Sequence, residues 1–276
     1  MSKLFVFGDS YSEKFPDQRT YVNLLCQHYG LEPENYSRGG GSLLHLVDAW
    51  NQNCNKINKG DQVIVTLTSI DRTRFFPQYE HTTQYTNLVH LKAAWIDKDK
   101  QLITREERDA FEKYYAYLHQ PQQVALWLKS WLFWLGEICR RNDIVPVVMD
   151  CFEQTRSLLD TSDVPNIIRT NGSLLESISN REIIDNQYWA ACQPVGIHFY
   201  DPRLNHMVLD NHKIMFNKIQ DCWQNNKTVL DVKEGFLQNI LDMACMYDKS
   251  NLLDKFGDSG DDRIPRCKIA MNPIKC

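Results

Sequence analysis

Three short stretches carry side chains whose types suit acyl-transfer chemistry. The first is "FVFGDSYSE", Phe5–Glu13, where an apolar run stops at Gly8-Asp9-Ser10. A serine on the turn after a strand can present its hydroxyl as a nucleophile and its own N–H to an oxyanion. The plainer reading is that Asp9 or Ser10 caps the next helix. The second stretch is Gly39-Gly40-Gly41-Ser42. Successive glycines let backbone N–H groups approach a ligand closely. The plainer reading is a turn with Ser42 as helix N-cap. The pattern is not GxxxxGK[ST], which excludes a nucleotide P-loop. The third stretch is "YDPRLNHMVLDNHKIM", Tyr200–Met215, with Asp201, His206 and His212. An imidazole can serve Ser10 as general base, and a nearby acid can orient it. The plainer reading is a helix-capping or exposed His206. His206 and His212 are six residues apart, so they do not share a helix face as i,i+4 metal ligands do. "FGDS" recurs at Phe256–Ser259, but no β-patterned run leads into it, and it reads as a solvated turn.

The elements that must position these groups follow from hydrophobic spacing. Leu4–Phe7, the stretch after Gly60 in "GDQVIVTLTS" and "DIVPVVMD", Asp143–Asp150, read as strands of a buried parallel sheet. Val195–Asp201 reads as the last strand. Helical spacing is expected over 18–29, from Leu43 past Trp50, over 106–118, 122–141 and 211–225. Residues 155–187 read as loop and short helix. Strands alternating with helices argue for an α/β fold with a central parallel sheet and helices on both faces. Residues 228–276 offer one amphipathic helix, Val232–Met243, and a Gly/Asp-rich tail.

The 276 residues are 43% hydrophobic and 24% charged, enough for a substantial core. A net charge of −4 offers no electrostatic footprint for nucleic acid or an anionic membrane. Nine scattered cysteines without a CxxC argue for reduced thiols, mostly in the core, rather than a disulfide framework or zinc site. The most membrane-like stretch, Val124–Cys139, is short and interrupted by Lys129 and Glu137, so it reads as a core helix. With no secretory signal ahead of Leu4, the expected location is cytoplasmic.

Together the blocks resemble the GDSL, or SGNH, hydrolase family. The resemblance runs in order over roughly residues 3–224 but matches specific residues only in short blocks. It implies a flavodoxin-like three-layer α/β/α sandwich and an esterase, lipase or thioesterase activity. "FVFGDSYSE" implies Ser10 as nucleophile, with Asp9 beside it. "NYSRGGGS" resembles the family's Asn-loop-Gly stretch, with Gly40 as oxyanion glycine and Gly41 as the one-residue alternative. The family's final histidine block implies His206 as base and leaves His212 as helical packing or surface.

Two departures stand out. The residue three before His206 is Arg203, where the family has Asp. Asp201 lies five before, so either it orients His206 or a Ser-His dyad works with a backbone carbonyl. The family's third block, GxND, is replaced by Thr68-Ser69-Ile70-Asp71, so Ile70 stands where an oxyanion-binding Asn is expected. Ser69, Thr68 or Arg72 substitutes for it, or that donor is absent.

The expected function is therefore a serine esterase acting on an acyl ester, first of all an acetyl ester on a carbohydrate. The alternatives are a lipase or thioesterase, or a catalytically impaired binding protein on the same fold. No metal or organic cofactor is implied. The expected partner is a small-molecule or carbohydrate ester, with no nucleic acid or membrane; oligomeric state is left open. The expected domains are residues 1–227, with an aromatic and helical insertion over about 75–130, and a 228–276 extension. Rings in Phe75–Trp95 either stack on sugar or pack the insertion's own core.

Overall fold

The apolar run Leu4–Phe7 forms strand β1 (Lys3–Phe7), and none of those four side chains reaches solvent. The structure is a computed structural model. It describes residues 1–12, 20–38, 41–70, 72, 106, 109–110, 113–178, 207 and 209–236. Alternate β1 residues face opposite ways. Phe5 and Phe7 join one apolar cluster; Leu4 and Val6 join the other.

Among the described residues six strands form one sheet. They are β1, β2 (Glu32–Asn35), β3 (Gln62–Leu67), β4 (Val147–Asp150), β5 (Ile168–Thr170) and β6 (Val229–Leu230). Their order is β2-β1-β3-β4-β5-β6, and every neighbouring pair is parallel. The register sets Val6 opposite Ile64 and Ile64 opposite Val147, so the inner strands carry continuous apolar rows.

Helices cover both faces. On one side lie α1 (Tyr21–Tyr29) and, near the end of the described chain, Leu209–Gln224. On the other lie α2 (Leu43–Asn53) and α3 (Pro121–Arg141). Short α4 (Glu153–Leu158) and α5 (Leu174–Ile178) follow β4 and β5, which makes Leu209–Gln224 α6. The α1/α6 side packs Val22, Leu25, Met215 and Ile219 against Leu4, Val6, Ile64 and Met149. The α2/α3 side packs Leu46, Trp50, Leu128, Leu132 and Leu135 against Phe5, Phe7, Val63 and Val65. This is the expected three-layer α/β/α sandwich with a flavodoxin-like central sheet. Helix ends obey local chemistry. Thr20 Oγ1 accepts from Asn23 N, and Gly30 closes α1 in the left-handed conformation at φ 64°.

Three of the four expected strands fall on β1, β3 and β4; Val195–Asp201 lies outside the described residues. Strands β2, β5 and β6 were not expected. Strand β2 reads Glu-Pro-Glu-Asn, and only an edge position tolerates Pro33 and two exposed side chains. Strands β5 and β6 have three and two residues, too short to show alternation. Residues 168–170 are thus strand, where loop and short helix were expected.

Strand β6 lies beyond the expected 227/228 boundary, and its Leu230, with Val232, is fully buried in the α1/α6-side core. The chain at 232–236 turns rather than beginning the expected helix, with Gly235 at φ 81°. The rest of that helix lies outside the described residues. The expected insertion, about 75–130, overlaps α3, whose Ala125 and Leu128 are core residues. Most of the remainder, including 73–105, lies outside the described residues. Within the expected helix 106–118, Tyr114–Leu118 is a π-helical turn.

Cys26, Cys139, Cys151 and Cys222 are buried free thiols, and Cys54 is half-buried and free. No helix among the described residues is long and apolar enough to cross a membrane.

Candidate active site

The turn after β1 depends on a residue without a side chain at Gly8. Its φ is 152°, and a Cβ there would lie 1.8 Å from Thr66 Oγ1 and 2.6 Å from the Thr66 carbonyl oxygen. The turn therefore lies directly against β3. Thr66 Oγ1 accepts from Asp9 N at 3.2 Å and shares a 2.7 Å hydrogen bond with Ser12 Oγ. Ser12 N donates to the Asp9 carbonyl at 3.2 Å, closing the turn around Ser10. Ser10 itself is 3% exposed.

Asp9 is fully buried beneath this turn. Its Oδ1 accepts from Tyr11 N at 3.1 Å and from the Cys151 thiol at 3.7 Å. Its Oδ2 meets Arg72 Nη1 at 3.3 Å. The same nitrogen donates to Thr68 Oγ1 at 2.7 Å, and the guanidinium lies 4.7 Å from the centre of the Phe152 ring. Burial pushes the Asp9 carboxyl above its ordinary pKa despite the attraction of Arg72. Burial, then the Asp9 and Asp150 charges, raise the Cys151 thiol well above its ordinary value. Cys151 is thus held as a thiol.

The loop after β2 is stitched to this turn. Asn35 Nδ2 donates to the Ser12 carbonyl at 2.7 Å, while its Oδ1 accepts from Ser37 N at 2.9 Å. Arg38 N donates to the Gly8 carbonyl at 3.1 Å, and Ser37 and Ser12 hydroxyls meet at 2.8 Å. Gly41 lies against both loops: a Cβ there would stand 2.9 Å from the Arg38 carbonyl oxygen and 3.3 Å from that of Gly8. Gly40 lies outside the described residues. Ser42 caps α2, accepting from His45 N at 3.2 Å.

At the end of β3, Ile70 is 2% exposed and packs into the α2/α3-side core. Its N–H donates to Thr155 Oγ1 at 2.9 Å, and that hydroxyl donates to the Thr68 carbonyl at 2.9 Å. The position of the expected oxyanion Asn is thus filled by an anchor between β3 and α4. Ser69 Oγ reaches Gln154 Oε1 of the same helix at 3.4 Å. Arg72, weighed as a substitute donor, is drawn to Asp9 and Thr68 instead.

Asp201 and His206 lie outside the described residues. His212 is buried in packing. Its Nδ1 accepts from Tyr21 N, the first residue of α1, at 3.4 Å, and its ring stacks on Tyr21 at 5.8 Å. This satisfies one of the unpaired N–H groups at the helix start and docks α6 on α1. Met207, the residue after His206, is buried in the same apolar cluster as Tyr11, the residue after Ser10.

The structure therefore brings together Asp9, Ser10, Gly41 and Arg72, and sets Ser69 and Ile70 into the β3–α4 junction. Sequence reasoning missed Thr66, Ser12 and Cys151. Thr66 was detectable: it is the one hydroxyl residue inside the apolar run Val63–Leu67. Ser12 and Cys151 offered no such signal, since their roles depend on contacts across the sheet. No family model matches the chain, and no curated protein matches it either.

Proposed function

We propose that the chain is a serine esterase acting on an acyl ester, with an acetylated carbohydrate as the first substrate class. The observation that carries this reading is the joining of two loops at the carboxyl edge of the sheet. The Ser10 turn and the Asn35–Gly41 loop are bonded through Asn35, Ser37 and Arg38. Reactive groups gather at such edges in open parallel sheets. In the proposed reaction Ser10 Oγ attacks the acyl carbon and His206 takes its proton. The N–H groups of Ser10 and Gly40 stabilise the tetrahedral oxyanion. His206 then protonates the departing alcohol, and water hydrolyses the acyl-serine with His206 again as base. Asp201 orients His206, or a backbone carbonyl does so in a dyad. Met207, the residue after His206, is buried in the same apolar cluster as Tyr11, the residue after Ser10, which supports this assignment.

A second reading, an impaired binding protein on the same fold, is favoured by one observation. Ile70 is a core residue where an oxyanion donor would be needed. Losing such a donor costs on the order of 10²–10³ in rate. A fluorophosphonate probe separates the readings. The esterase reading expects labelling of the wild type and none of Ser10→Ala, both folded by circular dichroism. A folded wild type that takes no label, and hydrolyses neither acetylated sugar nor p-nitrophenyl acetate, supports the binding protein.

A further inference from the structure

A concave site away from the Ser10 turn lies at the carboxyl ends of β4 and β5. It is a cleft of ≈ 400 Å³ lined by Asp150, Arg156, Leu159, Arg169, Thr170 and Val229 among others. That volume is within the roughly 300–1,000 Å³ of small-molecule sites. No residue of the Ser10 turn lines it.

Its charges are placed in a way that packing alone does not explain. Asp150 is 4% exposed, and its Oδ1 has no hydrogen-bond partner. Its other oxygen accepts from Thr170 Oγ1 at a long 3.3 Å. A buried, half-satisfied carboxyl is costly and calls for a donor. Arg169, in the middle of β5, makes no ion pair among the described residues and attracts Asp160 only at longer range, while Arg156 meets Glu153 at 3.5 Å and attracts Asp150. The second acid of the lining, Asp160, already accepts from Ser162 N at 2.9 Å. Val229 adds a small apolar surface, with Leu159 buried behind it.

We propose that this cleft binds an anionic sugar, whose hydroxyl donates to Asp150 and whose carboxylate or phosphate pairs with Arg169 and Arg156. A neutral sugar would bring the arginines no anion of its own, and an ammonium ligand would be repelled by them. The apolar patch suits the C–H face of a pyranose. This site does not rest on the esterase reading.

Calorimetric titration tests it, with D-glucuronate and D-glucose 6-phosphate as probes and D-glucose as neutral control. The protein is wild type, Ser10→Ala, Asp150→Asn and Arg169→Gln, each checked for fold by circular dichroism. The expected result is saturable binding of at least one anionic sugar, at least tenfold tighter than glucose. Ser10→Ala should leave it unchanged, and Asp150→Asn and Arg169→Gln should each weaken it tenfold or more. The anionic sugar that binds tells carboxylate from phosphate. No saturable binding overturns the proposal, as does equal binding of glucose, loss in Ser10→Ala, or unchanged affinity in both cleft variants. If Asp150→Asn does not fold, Arg169→Gln decides alone.

Discussion

Gly8 and Asp150 are each tightly constrained by their surroundings. A methyl group at Gly8 meets Thr66 Oγ1 and Thr66 O, and the φ of 152° strains any L side chain. Strain and overlap each cost about 1–3 kcal/mol. Gly8→Ala should therefore lower unfolding free energy by roughly 3 kcal/mol or more in urea titration. A loss under 1 kcal/mol would mean that the turn does not depend on glycine. Asp150 makes a pH prediction. Burial pushes its carboxyl up to about 7, against the attraction of Arg156 and a hydrogen bond from Thr170, with Glu153 adding repulsion. Its unfolded value is near 3.9. Between about pH 4 and 7 the folded chain holds a proton that the unfolded chain has released. Stability from this group is therefore greatest at low pH, falls as pH rises through that window, and levels off above 7. Three units correspond to an upper bound of roughly 4 kcal/mol. Comparing wild type with Asp150→Asn by urea unfolding from pH 4.5 to 8 isolates it. The wild type should lose stability relative to the variant by a few kcal/mol, and parallel curves would remove the assignment.

Among the elements, α3 shows most directly how one helix serves the sheet. Its buried stripe, Ala125, Leu128, Trp131, Leu132, Leu135 and Cys139, follows the helical repeat. Its opposite side leaves Leu126 67% exposed. The same substitution should thus behave differently six residues apart. Leu132→Ala should destabilise by about 2–5 kcal/mol, since it opens a cavity in a packed core. Leu126→Ala should change stability by about 0.5 kcal/mol or less. Chemical denaturation of both variants checks the contrast, and equal losses would place Leu126 in an interface. On the opposite face of the sheet, α6 is held to α1 by the His212–Tyr21 contact. This is the packing role that the sequence left open for His212.

For the whole molecule, the sheet of the described residues has at one edge a strand of only two residues. Leu230 and Val232 are both fully buried, and β5 pairs with β6 through Arg169–Val229 and Thr170–Leu230. Burying two such side chains is worth roughly 3–6 kcal/mol. A chain ending after Lys227 should melt on the order of 10 °C below the full chain, at about 2–4 °C per kcal/mol. Thermal unfolding followed by circular dichroism reads this directly. An unchanged Tm would make β6 dispensable to the fold.

The sequence by itself determined the layers. Leu4–Phe7, Val63–Val65 and Val147–Met149 are apolar without interruption because both faces of an inner parallel strand are covered. The helical repeats of α2, α3 and α6 were legible for the same reason. Gly8-Asp9-Ser10 could be read as a strand-ending turn because glycine and a short hydroxyl side chain mark such turns locally. Only the tertiary structure decided what lies against that turn. Thr66, Ser12, Cys151 and Arg72 meet Asp9 or its turn across three strands, with separations of up to 142 residues, and no local pattern records such contacts. The two edge strands and the short β5 were equally silent. Glu32–Asn35, Ile168–Thr170 and Val229–Leu230 are strands through pairing with their neighbours rather than through a pattern of their own. Ile70 has the same lesson at a single position. Its side chain completes a core between β3 and α4, a demand set by packing and invisible until the two elements are side by side.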